Sequence, residues 1–227
     1  MKDLKDSYIK SSIGKIFGFT LAEVLITLAI VGVVAAITIP SLLNKTNDRE
    51  TVAQLQKVYS ALASATNSII AEEGPINTWN WDESGFMMDA VVDDYKRYMN
   101  FSKSCAFNVN TCYFESTWTA LDNHSWGYYY HVGNAYYNIL QDGAFVKFFK
   151  GGYGGLTTGL TPRMLMIVNL NGNKPPNKVG RDVFIFVLTD EKGVIPPNSQ
   201  VNSNCQVASS GGQTCAARVM QDGAINY

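Results

Sequence analysis

Apolar positions fall into three regimes along this chain. Residues 1–18 are largely polar and net basic, with Lys2, Lys5, Lys10 and Lys15 set against Asp3 and Asp6. Val24 to Ile39 is then apolar, interrupted only by Thr27, Gly32 and Thr38. Beyond Pro40 the pattern changes. Val52, Leu55, Tyr59, Leu62, Thr66 and Ile69 recur at three- and four-residue steps. That spacing predicts an amphipathic helix to about Glu72, closed by Gly74-Pro75. The stretch 19–39 has 21 residues, roughly 31 Å of helix at ~1.5 Å per residue, enough to cross a ~30 Å hydrocarbon layer. The basic leader is expected to stay in the cytoplasm and the remainder to be exported. Residues 19–72 together predict one helix of about 80 Å. Pro40 removes a backbone donor, so a bend or local melting is expected there. A helix that is apolar all round in its first half and on one face in its second needs two surroundings: a membrane or helix bundle, then a globular domain.

The rest of the chain reads as mixed, then β-rich. Met87 to Met99 predicts a short helix with Met88, Val91, Val92, Tyr95 and Met99 on one side. Trp79 and Trp81 are expected as core anchors. Ser125–Val132, Ala135–Leu140, Ala144–Lys150, Met164–Leu170 and Asp182–Leu188 are β-branched or aromatic runs that predict strands. Asp142-Gly143 predicts a hairpin turn, and Asp190-Glu191-Lys192-Gly193 a second one leading into Val194-Ile195. The expected fold is α+β: a long N-terminal helix packed against a C-terminal antiparallel sheet. Its parts are a leader (1–18), a membrane-spanning half-helix (19–40), an amphipathic half-helix (41–74) and an exported domain (75–227).

Composition narrows the function classes. Charged residues are only 16% against a usual ~25%, while Tyr, Asn and Gly are plentiful, which suits an exported surface. The formal charge is −1, and removing residues 1–18 makes it −3. No bulk positive field exists to hold nucleic acid, so no nucleic-acid partner is expected. With His124 and His131 the only imidazoles, most catalytic and metal schemes lack parts. There is no Gly-x-Ser-x-Gly, His-Glu-x-x-His or Walker loop; Gly151 to Gly155 has no Lys-Ser or Lys-Thr after it. Asp93-Asp94 reads as a solvated face, since adjacent helical residues point apart. No enzyme is expected. The four cysteines allow three pairings. Local pairing, Cys105 with Cys112 and Cys205 with Cys215, is preferred because both pairs lie in loop-like, Asn/Ser/Gly-rich sequence.

Gly18-Phe19-Thr20-Leu21-Ala22-Glu23, the apolar run that follows and Pro40 closely resemble the type IV prepilin N-terminus, shared by type IV pilins and the pseudopilins of type II secretion systems. The likeness covers about 55 residues when the helix extension is included. It implies cleavage by prepilin peptidase between Gly18 and Phe19, then N-methylation of the Phe19 amine. It further implies a single-span inner-membrane subunit with an exported C-terminus, handed by an inner-membrane assembly platform into a helical filament. That filament, a periplasmic pseudopilus or a cell-surface pilus, is built from copies of the chain and other pilins. Glu23 has a physical role in this reading. A carboxylate costs about 2.5–3.5 kcal/mol at the centre of a membrane helix and less near its end, and residues 19–44 contain no Lys, Arg or His. The amine freed at Phe19 would supply its partner, within the subunit or from a neighbour, so Glu23 is assigned to assembly. The alternative is a Glu that snorkels to the interface. Two other readings stay open: an exported binding protein with an ordinary signal peptide or anchor, and a minor pilin serving adhesion or DNA uptake. Cleavage near Ala35-Ala36 would mark the signal peptide, but Glu23 would be an odd charge in its apolar core.

Asn169-Leu170-Asn171-Gly172-Asn173-Lys174-Pro175-Pro176-Asn177, followed by Gly180-Arg181-Asp182-Val183-Phe184, is similar to a pattern of other bacterial members of that family. Versions with Asp at the first positions resemble a calcium-binding loop. Asn removes the charge and lowers the expected affinity, and the other reading is a turn-rich connection. No cofactor is assigned, calcium at the 169–182 loop being the one that this pattern admits. The segment Cys215 to Tyr227 also resembles the termini of pilin-like proteins.

Overall fold

The computed structural model describes residues 18–81, 88–105, 118–125, 135–151, 155–172, 174–197, 205–206 and 211–227, apart from the Asn44 side chain. The chain divides into two compact units, Met1–Lys45 and Thr46–Tyr227. Helix α1, Leu21–Glu73, contributes to both.

In the first unit, α1 carries apolar residues on every side and buries none of the large ones. All the exposed large hydrophobic side chains among the described residues, Tyr98 excepted, lie between Phe19 and Leu43. The helix runs unbroken through Pro40, so the expected local melting does not occur. Proline forfeits one backbone bond, and a single gap is tolerated inside a helix of 53 residues.

In the second unit, α1 has one buried face: Val52, Leu55, Val58, Leu62, Ala65, Thr66 and Ile69. Gly74 ends it with φ +84° and an N–H to Ile70 O bond of 3.0 Å. This is the left-handed closure that glycine adopts without a Cβ penalty. Trp79 and Trp81 follow a short 3₁₀ turn, Ile76–Thr78. Both are buried, and their indole N–H groups donate to Gly74 O and Ile76 O at 2.9 and 2.8 Å. Helix α2, Asp89–Tyr98, buries Met88, Val91, Val92, Tyr95 and Met99 as its periodicity predicts. The Thr66 hydroxyl donates to Leu62 O at 2.8 Å and lies 2.5 Å from the Tyr95 hydroxyl, tying α1 to α2.

Six antiparallel strands form one sheet in sequence order: β1 Phe101–Cys105, β2 Ala135–Leu140, β3 Phe145–Phe149, β4 Pro162–Asn169, β5 Val183–Thr189 and β6 Gly193–Ile195. Both expected hairpins are present, with Gly143 and Gly193 at positive φ. Strand β1 was not foreseen, because Phe-Ser-Lys-Ser-Cys lacks apolar alternation and its middle is exposed at the sheet edge. The expected strand at Ser125–Val132 lies, apart from Ser125, outside the described residues; Ser125 forms an isolated bridge with Thr119. His124, beside it, is exposed and contacts Asp122.

The pleat separates two cores. Phe148, Met164, Met166, Val168, Phe184, Phe186 and Leu188 face α1 and α2. Leu165, Ile167, Val183, Ile185 and Val187 face the other way, under Trp118, Ala120, Leu156 and Val179. Covering on both faces explains why β4 and β5 read as continuous apolar runs and not as alternating ones. Lys147 of β3 is fully buried in this second core, its Nζ 5.3 and 5.6 Å from the Tyr137 and Phe149 ring centroids. Burial pushes its ammonium down to about 7. A C-terminal helix, α3 Cys215–Asp222, packs on β5 and was not foreseen as a helix.

Candidate processing and assembly site

The site begins at Gly18. A Cβ built there meets no atom within 4 Å, and the residue has no left-handed φ. Among the described residues, therefore, no packing requires glycine at position 18. Phe19 follows, 86% exposed.

Thr20 and Glu23 then close a reciprocal pair at the start of α1. The Thr20 backbone N–H and hydroxyl both donate to Glu23 Oε2 at 2.8 Å, and the Glu23 backbone N–H donates to Thr20 Oγ1 at 3.2 Å. This is a capping box, with Thr20 as the N-cap and Glu23 three residues on. It satisfies helix N–H groups that otherwise have no partner, and it places a carboxylate at the positive end of the helix. The carboxylate is thereby held against Thr20, the residue that follows Phe19. Sequence reasoning assigned Glu23 a charge partner and missed Thr20. The signal was in view, since Thr-x-x-Glu immediately before an apolar run is the sequence signature of this box.

Downstream, a window of α1 with mean hydropathy 2.5 has none of its residues buried. Each Leu, Ile or Val held in water forgoes about 1.5–3 kcal/mol of burial. Summed from Val24 to Leu43, that exceeds the whole ~5–15 kcal/mol stability of an ordinary domain. Water is not the working environment of this surface. Pro40 lies inside it, within α1.

The cysteines lie in the second unit. Cys205 and Cys215 are joined by a disulfide with Cα atoms 4.9 Å apart, and both are fully buried. Cys105, at the end of β1, is also disulfide-bonded; Cys112 lies outside the described residues. Asp93 and Asp94 pair separately with Lys96 and Arg97 at 2.8 and 2.6 Å, as members of a solvated face do.

Residues 14–39 match the family model of the prokaryotic N-terminal methylation motif. This is the prepilin motif of type IV pilins and pseudopilins, and the long N-terminal helix with a six-stranded antiparallel sheet is a pilin-like α+β fold. The motif marks a structural class of protein that prepilin peptidase processes and that assembles with other pilins. No curated protein and no solved structure matches the chain.

Proposed function

We propose that the chain is a structural subunit of a type IV pilus or a pilus-like pseudopilus. Prepilin peptidase cuts after Gly18, and the new Phe19 amine is methylated. The apolar half of α1 holds the subunit in the inner membrane with its sheet domain exported. An assembly platform then moves that helix from lipid into a bundle of equivalent helices. One observation carries this reading: the unburied apolar half of α1, Leu21 to Leu43, with Glu23 as its single charge, lies largely within the matched motif. Lipid covers such a surface first, and like helices cover it after extraction. Glu23 serves both stages. In the intact precursor it caps α1 through Thr20. After cleavage the Phe19 ammonium appears one turn away and becomes its charge partner. That no described residue packs around Gly18 fits a glycine there for close approach by the peptidase.

Mass spectrometry of the mature protein from its host tests the first step. The expected terminus is Phe19, heavier by one methyl group. A terminus near Ile37 would identify an ordinary signal peptide and overturn the proposal.

A further inference from the structure

Residues 14–39, the matched motif, span the Gly18–Phe19 bond that the proposed reading cuts. Residues 18–20 are not helical, and α1 starts at Leu21. Its first backbone bond runs from Val24 N–H to Thr20 O at 3.2 Å. The capping box explains why the helix begins there. To wind one residue further back, Phe19 O would have to accept the Glu23 N–H, its partner four residues on. That N–H is already taken, since it donates to Thr20 Oγ1 at 3.2 Å. The Thr20 N–H, which belongs to the peptide after Phe19, is held in turn by Glu23 Oε2 at 2.8 Å. The Thr20 hydroxyl donates to the same oxygen at 2.8 Å, which fixes the threonine side chain in place.

The consequence falls on the Gly18–Phe19 bond. In a helix extended to Gly18, the Gly18 carbonyl would accept the Ala22 N–H, and its carbon would be enclosed in a turn of backbone. Hydrolysis needs that carbon open to water. The amide C–N bond breaks, the water oxygen joins the Gly18 carbonyl to make a carboxylate, and the Phe19 nitrogen leaves as the amine. Outside the helix the bond is open: a Cβ at position 18 meets no described atom within 4 Å, and Phe19 is 86% exposed. Glycine at 18 acts in the same sense, being a weak helix former.

We propose that Thr20 is a positioning residue for leader removal. Through the capping box it starts α1 at Leu21 and keeps the Gly18–Phe19 bond out of the helix for the peptidase. This rests on the proposed cleavage after Gly18. The threonine acts through the Glu23 backbone N–H, not through contact with the enzyme. Its part is therefore separate from the charge of Glu23, which serves assembly. A side chain without an oxygen at position 20 frees the Glu23 N–H for Phe19 O, and the helix grows toward Gly18.

The test uses the full-length precursor in detergent with purified prepilin peptidase. It reads the initial rate of leader removal below the Michaelis constant, and the Cα carbon chemical shifts of Gly18 and Phe19, which report helix. Thr20→Val keeps the size of the side chain and removes the hydroxyl. It should slow cleavage about fivefold, the factor that ~1 kcal/mol of N-cap represents at ~1.4 kcal/mol per tenfold. Both shifts should move toward helical values. Thr20→Ser should cleave as wild type. Leu21→Pro added to Thr20→Val should restore the rate, because proline suits the first helical position and bars the residue before it from helical backbone. Cleavage of Thr20→Val at the wild-type rate would overturn the proposal. So would slowing without a change of shift, slowing that Leu21→Pro does not relieve, or Thr20→Ser as slow as Thr20→Val. A wild-type precursor not cut after Gly18 would overturn the filament reading as well.

Discussion

The two parts of α1 obey the same helical geometry and opposite rules of burial. From Val52 to Ile69 the apolar residues fall on one face, and that face is covered by α2 and the sheet. From Leu21 to Leu43 they fall on every face, and the chain covers none of the large ones. The second part is explained by its own fold. The first is explained only by something outside it. In the proposed reading, assembly resides in the part of the molecule that its own packing leaves uncovered. The sheet, by contrast, has both faces covered by the described residues.

The largest expected effect lies in the outward-directed part. Glu23→Val removes a charge from a membrane helix, so insertion becomes easier. In an assembled bundle the same change leaves the Phe19 ammonium buried without a partner, at a cost of about 3–5 kcal/mol. Sheared-filament yield is expected to fall by about two to three orders of magnitude while the membrane-bound amount is unchanged. Undiminished filaments from this variant would remove Glu23 from the assembly scheme.

Next comes a direct contrast of two leucines on the same helix. Leu62 is fully buried and Leu28 is 63% exposed. Leu62→Ala should destabilise the sheet domain by about 2–5 kcal/mol. Leu28→Ala should leave its thermal midpoint in detergent within about 0.5 kcal/mol of wild type. Equal losses would show that the two parts of α1 are not energetically distinct.

Lys147 gives an effect of a few kcal/mol that depends on pH. Its ammonium is held down to about 7 by burial, against ~10.4 in an unfolded chain. Between those values the unfolded chain binds a proton that the folded chain does not. Stability therefore rises as pH goes from 7 to 10 and is lowest below 7. Lys147→Met should raise the midpoint by several degrees at pH 6 and by much less at pH 10. A gain independent of pH would mean that the lysine is not buried as a charge.

The smallest effect separates the two roles of Glu23. Thr20→Ala breaks the capping box and leaves the carboxylate, at about 1 kcal/mol. Glu23→Gln keeps a capping side chain and removes the charge. Filament yield should drop several-fold for the first and much further for the second. The reverse order would make helix capping the main role of Glu23.

Much of this was legible in the sequence, for identifiable reasons. The long helix, its change of pattern after Pro40 and its Gly74 closure follow from spacing alone. So do α2 and the strands β2 to β6, with Asp-Gly marking the β2–β3 turn and Lys-Gly the β5–β6 turn. Strand β1 was not legible, because Phe101–Cys105 is held by pairing with β2 and not by an apolar pattern of its own. Helix α3 was not, because it is short and secured by Cys205–Cys215 and by Arg218 donating to Cys205 O. At the site, Gly18, Phe19 and Glu23 stood out by motif and charge. Thr20 did not, although Thr-x-x-Glu ahead of an apolar run is the sequence signature of a capping box.

The central claim is that copies of the same helix cover residues 24–43 outside the membrane. Val31, 63% exposed and midway along that stretch, offers the most direct probe. Val31→Cys should be exported and processed as wild type, and a short thiol cross-linker applied to the sheared fibre fraction should give a ladder of covalent multimers. A chain that remains wholly in the membrane fraction while fibres form, or that enters fibres without any Val31→Cys cross-link, would contradict the account.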